Sequence, residues 1–150
     1  MRQKIEIFSL DESLGFWLYR SHIKVSAALR NAFQDAGYDL TPEQWAVLLR
    51  LREQEGLNQS KLGEKTYKDR HNITRILKQL DKRGYIEKHH DEKDKRVYRV
   101  YLAPAGHSIL KELKPIVLKH HDRVYKGFSK DDLLKIRDYL GHIVNNLQRS

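Results

Sequence analysis

The chain has 150 residues, with 29 Lys and Arg against 20 Asp and Glu, a formal charge of +9 and no cysteine. That length supports one domain with a real core and hardly two, and the positive field suits polyanions such as nucleic acid or an acidic membrane face. Disulfides, thiolate nucleophiles and cysteine-based oxidant sensing are excluded, and with neither a signal-peptide pattern nor an apolar run able to span a bilayer, the expectation is a soluble, cytoplasmic protein without a membrane partner.

The first helix is announced by "SLDE", where Ser9 can cap and Glu12 reach back; Leu14, Leu18, Val25, Leu29 and Phe33 then recur at helical spacing until Gly37. "TPEQ" repeats the start signal, with Thr41 as N-cap, Pro42 at the first helical position and Gln44 completing the box, before an apolar face of Trp45, Leu48 and Leu49 that stops at Gly56. A short helix is expected in "NQSKLGEKTYK" and a further one from about Asp69 to Arg83, ended by Gly84. From Tyr85 the period changes to two: "YIEKHH" and "VYRVYL" read as strands joined by the charged stretch "DEKDKR", and Pro104 closes the hairpin. Helical spacing returns from Gly106 to about Gly127, with a kink expected at Pro115, which has no N–H to give. A last helix begins at "SKDD", residues 129–132, and Leu133, Ile136, Leu140, Ile143 and Leu147 form a narrow seam that needs a partner.

Helix, turn and helix followed by a hairpin is the layout of a winged helix. The fold expected is mostly α with a two-stranded β-wing: a winged helix-turn-helix at about 38–104, flanked by long dimerisation helices at about 1–37 and 105–150, all within a single domain over 1–150.

Chemistry concentrates in "DRHNITRILKQLDKR". Ile73, Ile76, Leu77 and Leu80 gather on one side of this helix, and His71, Arg75, Lys78 and Lys82 on the other, with Thr74 and Gln79 nearby. A cation stripe alone is usually a solvated face; its position between a short helix and a hairpin is what makes it a candidate recognition helix. Arginine bonds guanine bidentately and asparagine does so with adenine, so Arg70, Asn72 and Arg75, with His71, are the candidates for base contacts in the major groove. Gln59, Ser60, Lys68, Thr74 and Lys78 suit phosphates.

A cationic hairpin tip can enter the adjacent minor groove, which assigns Lys93, Lys95 and Arg96 to the wing contact. Asp94, two residues from Arg96, is expected to share a face with it in an extended segment and to hold the guanidinium in one pose. The bland alternative is a soluble turn that protects an edge strand from aggregation.

"TPEQWAVLLRL", "LNQSKLGEKT", "DRHNITRILKQLDKRGYIEK" and "DEKDKRVYRVYLAPAG" together resemble the MarR family of bacterial transcriptional regulators, through about Leu40 to Gly106. The family's wing signature is Asp-x-Arg-Asp-x-Arg; Asp91, Asp94 and Arg96 match, and Lys93 replaces the first Arg, keeping charge and losing the bidentate fork. Thr74-Arg75 ahead of a Leu/Ile run ending in Gly84 is a second match. Ala103 departs from the Thr or Ser common at that point, which predicts a weaker cap for the next helix.

The resemblance implies a homodimer joined through its terminal helices, two winged helices on a pseudo-palindromic double-stranded DNA operator, repression, and release when a small aromatic or phenolic effector enters a cleft between the dimerisation and DNA-binding parts. Trp17, Tyr19 and Trp45 are the cleft candidates, although aromatics at helical spacing are more often ordinary core.

No cofactor or metal is expected. His89-His90 and His120-His121 are adjacent pairs whose side chains point apart, and Asp138 with His142 is two ligands short of a closed zinc site, so exposed histidines are expected. Phosphate loops, nucleophile elbows and zinc-protease motifs are absent, which places an enzyme behind a regulator. A non-specific architectural nucleic-acid binder is the remaining alternative, separable by its indifference to sequence.

Overall fold

The start signals in the sequence are made of real hydrogen bonds in the computed structural model, which describes residues 2–148. Thr41 Oγ1 accepts from Gln44 N at 3.1 Å and Gln44 Oε1 from Thr41 N at 3.1 Å, opening α2 (Pro42–Glu53). The same reciprocal box joins Ser129 and Asp132 at the start of α6 (Lys130–Leu147).

The first helix differs from expectation. Ser9 accepts from Glu12 N, but this closes only a turn, and α1 (Leu14–Asp35) is capped instead by Ser13, which accepts from Phe16 N at 3.4 Å. Four residues of turn therefore precede the helix, because a second serine lies one turn nearer the apolar repeat.

α3 (Gln59–Thr66) and α4 (Arg70–Lys82) form the helix-turn-helix. Their turn is tight: Tyr67 adopts a left-handed backbone with φ of 55°, Lys68 N donates to Gly63 O at 2.9 Å, and a Cβ at Gly63 would lie 3.1 Å from the Lys68 carbonyl. Glycine at 63 is thus a packing requirement rather than a flexible joint.

β2 (Ile86–His90) and β3 (Tyr98–Leu102) pair antiparallel, Ile86 opposite Leu102 and His90 opposite Tyr98. The wing is a three-stranded sheet of order β1-β3-β2, not two-stranded, because β1 (Leu57–Asn58) adds to the free edge of β3. Val97 lies in the connecting turn, one residue outside β3.

α5 (Pro104–Val124) starts two residues before Gly106, at a proline whose missing N–H costs nothing there, and Ala103 ahead of it supplies no side-chain cap, as predicted. Helical structure continues unbroken through Pro115.

One core unites these elements. Phe33, Leu48, Leu51, Leu62, Ile73, Ile76, Leu80, Val100 and Leu113 are essentially sealed from water, each contributing about 1.5–3 kcal/mol by removal from solvent. Every element contributes to it except α6, which has no buried residue. In α1 only the C-terminal half packs, through Leu29 and Phe33; Leu14, Leu18 and Val25 remain exposed.

The histidines depart from the exposed expectation at two positions, His121, which is half-buried, and His120. His120 is only 6% exposed, since it follows Leu113 and Val117 at the spacing that faces α1. No helix among the described residues is long and apolar enough to cross a membrane.

Candidate nucleic-acid interface

The face of α4 opposite the core is open. His71, Thr74, Arg75, Lys78 and Gln79 are exposed while Ile73, Ile76, Leu77 and Leu80 are buried. At its N-terminus Asp69 caps the helix, accepting from Asn72 N at 2.8 Å with one oxygen and from Asn72 Nδ2 at 3.0 Å with the other. Asn72 is accordingly half-buried and its amide engaged, a change from the free adenine reader its residue type suggested.

Beside it Thr74 Oγ1 donates to Arg70 O and accepts from Gln59 Nε2, both at 2.6 Å. This fixes the hydroxyl and the carboxamide as a cross-link between α3 and α4. Farther along, Gln79 Oε1 accepts from the buried Gln44 of α2 at 3.0 Å, tying the end of the stripe to the core.

Glu43, which sequence reasoning did not single out, sits at the first turn of α2 and reaches two of the candidates. One carboxylate oxygen accepts from Lys68 Nζ and the other from Arg75 Nη2, each at 3.3 Å. Nothing local in the sequence signals this, since Glu43 and Arg75 are brought together only by packing α2 across α4.

The wing tip is a built turn, not the extended segment expected. Asp91 is its centre: Oδ1 accepts from Lys93 N at 2.8 Å and Asp94 N at 3.2 Å, and Oδ2 accepts from Arg99 Nε at 2.7 Å. Arg99 also donates to Gly56 O at 2.9 Å, anchoring the tip to the turn between α2 and β1. The Lys93 and Asp94 amides and the Arg99 guanidinium hold the Asp91 carboxyl below the ordinary carboxylate range.

Within that turn Asp94 Oδ1 accepts from Arg96 Nε at 3.1 Å and from Arg96 N at 3.1 Å, while Oδ2 accepts from Nη2 at 3.3 Å. The shared face is thus made by a turn bond back to the backbone, and the Arg96 contacts depress the Asp94 pKa as well. The Arg96 side chain is 91% exposed and Lys93 and Lys95 are exposed too.

Helix and wing border one concavity of about 720 Å³, lined among others by Gln59, Ser60, Lys68, Arg70 and Arg96. Tyr67 and Tyr98, both exposed and neither predicted, line it as well. Arg75 and Lys78 lie farther along α4 and outside this hollow, and Lys93 borders a different one behind the wing, with His89 and His90.

The aromatic candidates do not come together. Trp17 donates to Asp11 O at 2.6 Å and carries Arg20 over its ring at 5.1 Å, Tyr19 is 64% exposed on another side of α1, and Trp45 packs half-buried against the core. None of the three lines the hollow between α4 and the wing, the one that Lys93 borders, or a third between α1 and α5. Residues two apart on a helix point nearly opposite ways, which is why Trp17 and Tyr19 diverge.

Residues 40–98 match the MarR family model. Over 144 residues, 96% of this chain and 90% of the relative, the sequence is 33% identical to the HTH-type transcriptional regulator SarZ of Staphylococcus aureus. The fold matches a probable transcriptional regulator from Pseudomonas aeruginosa with a TM-score of 0.82, at 31% identity, covering 90% of this chain and 99% of that one. The repressor CouR, solved on a 23-mer DNA duplex, superposes with a TM-score of 0.78 at 26% identity, covering 98% of this chain and 100% of that one. CouR of Rhodococcus jostii RHA1 bound to p-coumaroyl-CoA gives 0.77 at 26% identity, covering 90% of this chain and 94% of that one.

Proposed function

The chain belongs to the MarR family of winged-helix transcriptional regulators, and on that premise we propose that it binds a pseudo-palindromic operator as a homodimer. Each protomer takes one half-site, with α4 in the major groove and the wing in the minor groove beside it. Arg70, His71 and Arg75 contact base edges, with Asn72 joining them once its amide leaves Asp69. Gln59, Ser60, Lys68, Thr74 and Lys78 serve the phosphates. Lys93, Lys95 and Arg96 attract the minor groove, and Asp94 aims Arg96.

One observation carries this reading: the start of α4 and the wing tip border a single concave surface, with Arg70 and Arg96 both on it and both exposed. A cationic helix without the wing beside it would be an ordinary solvated face. The exposed apolar seams of α1 and α6 support the second copy. Repression, relieved by a small aromatic or phenolic effector, completes the proposal; its support is that CouR, of the same fold, is a repressor solved both on DNA and with p-coumaroyl-CoA.

Selection of genomic fragments from the source organism by the full-length protein tests the proposal. Recovery of a dyad-symmetric site with half-sites roughly one duplex turn apart, about 34 Å, is expected. Fragments enriched without any common sequence would instead identify an architectural binder. Sedimentation should give twice the chain mass, and a monomer would remove the two-half-site geometry.

A further inference from the structure

Two tyrosine rings stand in the open on the surface between α4 and the wing, where polar side chains alone would serve phosphates. Tyr67 is 85% exposed and Tyr98 47%, and both line the hollow of about 720 Å³ that Lys68, Arg70 and Arg96 also border. Neither ring belongs to the core. Exposed aromatic area beside cations on one concave face marks a surface that something else covers.

Tyr67 carries a second peculiarity. It is the one residue other than glycine with a positive φ among the described residues, at φ 55° and ψ 40°. The turn between α3 and α4 enforces that conformation: Tyr67 N donates to Glu64 O at 3.3 Å and Lys68 N to Gly63 O at 2.9 Å. Glycine is at ease in left-handed backbone at a helix end and is the usual residue there, whereas a bulky side chain is strained. Tyrosine at 67 works against the stability of its own turn, so the use of its ring lies outside the folded chain.

Tyr98 reaches the hollow from the wing. It faces His90 across the β2–β3 pair, with ring centroids 4.3 Å apart and planes tilted by 35°. His90 Nδ1 in turn donates to Lys95 O at 2.7 Å. The Tyr98 ring is thus braced by a side chain that is itself tied to the wing tip.

With α4 in the major groove and the wing tip in the adjacent minor groove, the sugar-phosphate strand that separates the two grooves must run through this hollow. Such a strand alternates anionic phosphates with apolar deoxyribose faces. Cationic side chains suit the phosphates alone; a phenol suits both, with a donor for the phosphate and a ring for the sugar. We propose that Tyr67 and Tyr98 grip this strand from its two sides, each hydroxyl donating to a phosphate oxygen and each ring lying against deoxyribose. The inference rests on the operator reading and adds to it a contact that is indifferent to sequence. Because a phenol is uncharged it releases no counterion, so its loss lowers affinity without changing the salt dependence.

Fluorescence anisotropy of the full-length protein on a labelled DNA duplex of scrambled sequence, across a range of salt, tests this. Tyr67→Phe and Tyr98→Phe should each bind about threefold more weakly, the share of one neutral hydrogen bond. Tyr67→Gly, which removes the ring as well, should lose about tenfold. All three should keep the parental salt slope. Tyr67→Gly should at the same time melt at or above the parental temperature, since glycine relieves the left-handed backbone. Parental affinity in the three variants, a flattened salt slope, or a lower melting temperature for Tyr67→Gly would each overturn the proposal, the last by showing that the ring serves the fold. If Arg96→Ala weakens binding while the tyrosine variants match the parent, the grip fails and the operator reading stands. A parent that binds no duplex, or one whose affinity Arg96→Ala leaves unchanged, removes both.

Discussion

Glu43 and Arg75 meet at 3.3 Å across the packed faces of α2 and α4, and the same carboxylate holds Lys68 at 3.3 Å. One acid thereby occupies two cations that face the duplex in the operator reading. To contact DNA, both must give up part of that pairing, which discounts every encounter alike and steadies Arg75 between encounters.

Glu43→Gln should therefore raise affinity for random-sequence duplex, by up to roughly 1 kcal/mol or about fivefold, the upper range for exposed ion pairs. Fluorescence anisotropy on a scrambled duplex checks this. Unchanged or weaker binding would mean that the carboxylate does not compete with phosphate.

Arg96→Ala should weaken operator binding strongly while leaving the melting temperature unchanged, because that side chain is 91% exposed. Asp94→Asn keeps the guanidinium and loses its charged fork, so a smaller loss is expected. Equal losses from the two would show that Asp94 does more than aim Arg96.

Along α4 the substitutions should separate by type. Arg75→Ala should relax sequence preference, costing about 1–3 kcal/mol on the operator, whereas Lys78→Ala should lower affinity uniformly and flatten the salt dependence. Competition binding on single-base operator variants distinguishes the two outcomes.

The wing turn should be insensitive to mild acid. Asp91 and Asp94 titrate below their ordinary 3.8 in the folded chain, so the stability they contribute is fully present above that value and is lost as pH falls through the depressed folded pKa. The Lys93 and Arg96 amide signals, both bonded to these carboxylates, should be flat from about pH 8 to about pH 5. A wing transition with its midpoint above 3.8 would contradict the assignment.

Gly106→Ala should be costly. The added Cβ would run into the Tyr85 carbonyl and lie 3.1 Å from Leu102 Cδ2, at the point where α5 crosses the base of the wing. That carbonyl already accepts from Ala103 N at 3.0 Å and cannot move freely. A loss of about 1–3 kcal/mol, typical of overpacking, is expected in urea unfolding.

Much of the fold was legible because its signals are local. The Thr41–Gln44 and Ser129–Asp132 boxes, the buried and exposed faces of α4 and the missing cap at Ala103 each lie within a few residues. β1 escaped notice because two residues have no periodicity, and Leu57 and Asn58 are a strand only by facing Val100 and Arg99. In the candidate site, residue types and exposure were readable, but engagement was not. Asn72 bonded to Asp69 could be suspected from the three-residue spacing of a cap; Glu43 under Arg75, and Arg99 between Asp91 and Gly56, depend on packing that no short window contains.

A helix of 18 residues with none buried is an unusual thing for one chain to maintain. With only Leu133 and Ile143 partly covered, α6 has little burial of its own to offset its ordering entropy. If a second copy covers it, association and folding of this segment are one equilibrium governed by mass action. Dilution would then unravel the C-terminal helix before the winged helix, and the thermal midpoint would climb with protein concentration.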